Sequence, residues 1–165
     1  MAWTTGTFEA KAQPAALPSA QLAGSARLTV FGFGIYNARL WVAPGFSAAH
    51  YADHAFSLEL AYLRSFDGAA IAQRSLKEMQ RVAGFTPEQG KAWLAEMTQL
   101  FPNVREGDRL TGIYQPGAGV RFLFNGQPLG EVRDPAFAST FMGIWLSPQT
   151  SEPAMRNQLL AGASP

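Results

Sequence analysis

Hydrophobic and polar positions change their period along this chain, and each change marks an element. Residues 24–42, GSARLTVFGFGIYNARLWV, are mostly apolar and β-favouring and read as one long strand. Side chains alternate on a strand, so Tyr36, Ala38, Leu40 and Val42 share one face while Ile35, Asn37, Arg39 and Trp41 share the other. Both faces read as largely buried. Residues 1–23, rich in Ala, Pro and Ser, read as a loose arm ending in a short first strand near Gln21 and Leu22. After Pro44 and Gly45 a loop passes Tyr51 and His54, and FSLELAYL at 56–63 reads as the next strand. The period then lengthens: over 69–83, Ala72, Leu76, Met79 and Ala83 recur at helical spacing, with Arg74, Lys77 and Arg81 on another side. Thr86, Pro87 and Gln89 have the pattern of a capped helix start, and Trp93, Met97, Leu100 and Phe101 line the apolar face that follows.

Residues 101–107 close the helical part. The stretch DRLTGIYQPGAGVRFLFNGQPLGEV reads as three short strands, with Asn125-Gly126 the strongest hairpin signal in the chain. Asp134-Pro135 starts a helix carrying Phe137, Phe141, Ile144 and Trp145, which Ser147-Pro148 stops, and a last helix runs from about Ser151 or Glu152 to Leu160. Strands group antiparallel and helices group separately, giving an α+β class with helices laid over one face of a curved sheet. The expected division is an arm and short first strand over 1–23 and a single domain over 24–165.

With 165 residues, 47% hydrophobic and 15% charged, the chain can bury a full core. Its 13 basic and 12 acidic residues give a net charge of +1, with no basic block, so nothing draws it in bulk to nucleic acid or an anionic membrane. No segment approaches the roughly 18 continuous apolar residues of a membrane span. The start lacks a basic region followed by an apolar stretch, and its Met-Ala reads as a replacement for a removed leader. Without cysteine there is no disulfide, thiolate nucleophile or cysteine-bound metal.

Candidate chemistry is sparse. His50 and His54 have helical metal-ligand spacing around Asp53, but they lead straight into a strand with no third ligand nearby, so no metal is assigned. The glycines of GFGIYN lack the third member of a dinucleotide fingerprint and lie within a strand. No G-x-S-x-G elbow is present. Arg27, Arg39 and Arg64 stand out instead, each inside or beside a strand, where a guanidinium needs an anionic or hydrogen-bonding partner. The plain reading pairs each with a carboxylate such as Glu59 or Asp67. The sharper one makes an arginine and the phenol of Tyr36 convergent donors for an anionic head group, above an apolar pocket.

Together FGFGIYNARLWV at 31–42, LELAYLRSFDGAAIAQRSLKEM at 58–79, and the region 101–160 with its E-G-D-R-L-T-G, N-G and G-I-W-L-S-P-x-T-S-E-P segments resemble the bacterial branch of the chalcone isomerase-like family. The resemblance covers nearly everything after residue 23. It implies the chalcone isomerase-like fold, a large antiparallel sheet with a layer of helices on one face and a ligand cleft between them. Matching the plant enzymes' catalytic positions puts their arginine at Arg27, their threonine near Tyr36, their tyrosine near Ile71 and their asparagine near Glu78. The last two do not match, which removes much of the charge stabilisation that chalcone cyclisation requires. A fatty-acid-binding branch holds its carboxylate with an arginine and a tyrosine, and Arg27 with Tyr36 resembles that pair. Arg39 competes, because residues on opposite strand faces serve one head group only if the strand kinks, as Gly32 and Gly34 would allow.

The leading expectation is therefore non-catalytic binding of a small apolar carboxylate such as a fatty acid. Its ligand-binding candidates are Arg27, Tyr36, Arg39 and Arg64, with no catalytic residue and no cofactor. The expected partner is a small apolar anion, with no nucleic acid and no integral membrane segment; protein partners are not specified. An intramolecular lyase or isomerase acting on a phenolic enone, and an interaction module with a closed cleft, are the alternatives. By resemblance to exported relatives the protein is expected in the periplasm, with the cytoplasm left open.

Overall fold

A computed structural model describes residues 17–165; the greater part of the expected N-terminal arm, residues 1–16, lies outside the described residues. Six strands, β1 (Gln21–Val30), β2 (Phe33–Val42), β3 (Phe56–Tyr62), β4 (Arg109–Gln115), β5 (Gly119–Phe124) and β6 (Gln127–Val132), pair in sequence order as one antiparallel sheet. Helices α1 (Gly68–Val82), α2 (Pro87–Leu100), α3 (Pro135–Leu146) and α4 (Pro153–Leu159) pack with it around a common core. A 3-10 turn, Ala48–Asp53, fills the loop before β3. This is the α+β architecture expected, with one correction.

The run 24–42 is not one strand. It folds back at Phe31 and Gly32, which have φ of 52° and 81°, and Val30 pairs with Phe33 to close a two-residue turn. Apolar residues continue through that turn, which hid the reversal. The short strand expected at Gln21 and Leu22 is the beginning of β1.

Alternation on β2 holds from Tyr36 to Val42 but breaks at Ile35, which a bulge turns to the same side as Tyr36. Ala38 and Leu40 face the helices with Phe56, Leu58 and Phe122, opposite Met79, Met97, Phe137 and Met142. Each fully buried apolar side chain of that size contributes roughly 1.5–3 kcal/mol relative to exposure. The other face of β2 is covered only in part, with Trp41 buried against Leu17 and Ala20 while Asn37 and Arg39 are half-buried.

α3 is apolar on nearly every side because it lies within the core. Asp134 fixes its start, Oδ1 accepting from the backbone N–H groups of Ala136 and Phe137 at 3.0 and 3.2 Å. The other carboxylate oxygen accepts from Trp93 Nε1 at 3.0 Å and so ties α2 to α3. The capping box expected at Thr86 and Gln89 forms, with bonds of 3.0 and 2.9 Å.

Candidate functional site

Between the first three strands and helices α1 and α3 lies a cleft of about 400 Å³. Its sheet side consists of Leu28 and Val30 from β1, Ile35 and Tyr36 from β2, and Leu60 and Tyr62 from β3. Cross-strand pairing puts Leu28 opposite Tyr36 and Tyr36 opposite Tyr62, whose rings meet edge to face at 5.6 Å. The β1–β2 register slips by one residue here: Leu28 faces Tyr36 but Thr29 faces Gly34, leaving Ile35 as a bulge. A bulge re-aims its side chain, so adjacent residues Ile35 and Tyr36 both reach the cleft.

The opposite wall follows from helical spacing. Ile71, Arg74, Ser75 and Glu78 fall on one face of α1 at i, i+3, i+4 and i+7, and all four line the cleft. Ile144 and Trp145 of α3, then Ser151 and Glu152 before α4, close the end.

Two polar groupings punctuate these apolar walls. In the first, Trp145 Nε1 donates to the Tyr36 hydroxyl at 3.0 Å. Burial pushes the phenol up to about 12, so it stays neutral at physiological pH. The hydroxyl accepts from Trp145, and its own proton has no acceptor among the described residues, so it is available to a ligand.

In the second, Glu78 is almost enclosed, its side chain 11% exposed. It accepts from Ser151 Oγ at 2.5 Å, and the Nε atoms of Arg74 and Arg81 approach it at 3.3 and 3.9 Å. Arg74 engages Glu78 through Nε while its side chain stays 67% exposed, leaving its terminal N–H groups at the rim.

Of the four residues singled out from sequence, only Tyr36 lines this cleft. Arg27 and Tyr36 are not brought together. Arg27 lies opposite Asn37 on the outer face and donates from Nε to its side-chain oxygen at 2.9 Å. Arg39 makes two hydrogen bonds to Glu59, at 2.9 and 2.7 Å, and stands 5.7 Å from the centre of the Trp41 ring. Arg64 is exposed, its guanidinium 4.6 Å over the Phe33 ring. The kink that would have let an outer arginine reach Tyr36 is present as the Ile35 bulge, but it turns Ile35 inward and leaves Arg27 outside.

Helical spacing set Arg74 and Arg81 apart from the apolar side of α1 and they are largely exposed, but it gave no sign of their convergence on Glu78. The signal that could have found this wall was the family alignment, since its two mismatched positions, Ile71 and Glu78, both face the cleft. His54 packs its ring beside Phe46 at 5.8 Å.

A profile of the chalcone isomerase-like family matches residues 8–161. An uncharacterized protein of Haemophilus influenzae is 28% identical over 137 residues, 83% of this chain and 66% of that protein, so the match spans just under two thirds of that relative's length. Among solved structures, a fatty-acid binding protein of Arabidopsis thaliana superposes with a TM-score of 0.69 at 12% identity, covering 87% of each chain.

Proposed function

The chain belongs to the chalcone isomerase-like family, and from that premise we propose that it binds a small apolar carboxylate, such as a fatty acid, in the cleft between sheet and helices. One observation carries this reading: a cleft of about 400 Å³ with aliphatic and aromatic walls and the free hydroxyl proton of Tyr36 inside it. That volume is in the range of small-molecule sites, and few placed polar groups among apolar walls is their usual composition. In this reading Tyr36 donates one hydrogen bond to the carboxylate and Arg74 supplies the charge. Glu78 offsets that charge only in part, because Arg81 also pairs with it and Ser151 donates a hydrogen bond to it. Against the isomerase alternative stand an isoleucine and a glutamate where the plant enzymes carry tyrosine and asparagine, and Arg27 turned to the outer face.

The test is extraction of natively purified protein followed by mass spectrometry, with displacement of a fluorescent fatty acid as the solution assay. An apolar acid is expected from the unaltered protein and from Arg27→Ala, and none from Ile71→Trp, which fills the cleft. Arg74→Gln is expected to weaken a fatty acid about tenfold while leaving its methyl ester unchanged, since a hydrogen bond to a charged group contributes about 1.5–3 kcal/mol. An empty protein that displaces no fluorescent fatty acid overturns the reading.

A further inference from the structure

The β1–β2 turn carries a cluster of exposed apolar side chains that the cleft does not use. Phe31 is 96% exposed, Phe33 56% and Val30 38%. Phe31 also occupies the left-handed backbone region, φ 52°, which disfavours a bulky residue and suits asparagine or glycine. The chain thus places a phenylalanine where folding gains nothing from it and backbone sterics oppose it, a combination that marks function.

Three further observations bear on what meets this tip. Val30 also lines the cleft, so the tip and the cleft's mouth are continuous. Two cations flank it: Arg64 lies over Phe33, and Arg27 sits further down β1, hydrogen-bonded to an amide and not a carboxylate. Among the described residues neither forms an ion pair. Finally, two phenylalanines of about 150–250 Å² each and a valine fall short of the roughly 800 Å² per partner that a stable protein interface buries. A bilayer interface demands no shape complementarity: it takes aromatic side chains at head-group level and draws arginines to anionic lipid.

We propose that the Val30–Phe33 turn is a membrane-docking wedge that seats the cleft's mouth on an anionic lipid surface, Phe31 and Phe33 entering the interface while Arg27 and Arg64 contact lipid phosphates. Net charge gives the protein no bulk attraction to such a surface; the attraction is local to this end of the sheet. Docking is independent of what the cleft holds, and a membrane-borne apolar ligand would reach the cleft past Val30.

The full chain is sedimented with vesicles of equal phosphatidylglycerol and phosphatidylcholine, and with phosphatidylcholine alone, no fatty acid being added. Partitioning to the anionic vesicles at low salt is expected, reduced about fivefold by Arg64→Gln and more by Phe31→Asn combined with Phe33→Ser. Phe31→Asn is expected to melt no lower than the unaltered protein, which separates lost docking from lost folding. Absence of partitioning, or partitioning that ignores these substitutions, overturns the proposal. A concentration-dependent dimer abolished by the same substitutions also overturns it, by showing the tip's occupant to be a second copy. A negative result leaves the displacement assay with soluble fatty acid unaffected, so the two proposals fail separately.

Discussion

At Tyr36 the surroundings decide the protonation state as well as the position. Its ordinary pKa of 10.0 rises to about 12 in the fold because burial disfavours the phenolate, and burial raises Tyr62 beside it as well. Below pH 10 the folded and unfolded chains both hold the proton, and stability does not depend on this group. Between pH 10 and about 12 the unfolded chain releases the proton that the folded chain keeps, so stability falls as pH rises. Urea unfolding across that window is expected to show the fall, and Tyr36→Phe to make it shallower by up to about 2 kcal/mol. At neutral pH the same substitution leaves Trp145 Nε1 without its acceptor and is expected to cost about 1 kcal/mol. Tyr36 was legible as a candidate because a phenol in an apolar setting can join an arginine as a donor to an anionic head group. Its partner was not, since Trp145 lies on α3, far along the chain.

Elements were legible where their end chemistry is local. Thr86-Pro87 and Asp134-Pro135 carry their own caps, and both helices begin there. Asp134 does more than a cap: it also accepts from Trp93, so Asp134→Ala removes three hydrogen bonds. A loss of about 2–3 kcal/mol is expected in chemical denaturation, recovered only in part by Asp134→Asn, whose side-chain oxygen still caps while its amide nitrogen leaves the Trp93 N–H without an acceptor. The two hairpins show the limit of such reading. Asn125-Gly126 has the residues its left-handed turn favours and was recognised, whereas Phe31-Gly32 makes a turn of the same sense with a residue that signals strand. A strand was therefore expected to run straight through a reversal.

Over the whole molecule the cleft exists because α1 is held at a fixed height over the first strands. Gly68, the first residue of α1, donates its N–H to Asn103 Oδ1 at 2.8 Å, and a Cβ there would fall 2.1 Å from the Phe101 carbonyl oxygen. Gly68→Ala must displace the helix. A loss of about 1–3 kcal/mol is expected by thermal denaturation, with weakened uptake of fluorescent fatty acid because Ile71, Arg74 and Glu78 move with α1. The sequence by itself determined the α+β class, the helix starts, the alternation of β2 beyond Ile35 and the family, because caps, periods and motif order are properties of neighbouring residues. Only the tertiary structure decided which charged group meets the cleft. A bulge at Ile35 sets the facing of Arg27 relative to Tyr36, and the position of α1 across the cleft from the first strands brings the still-exposed Arg74 to its rim, both being relations between segments that periodicity along one segment does not encode.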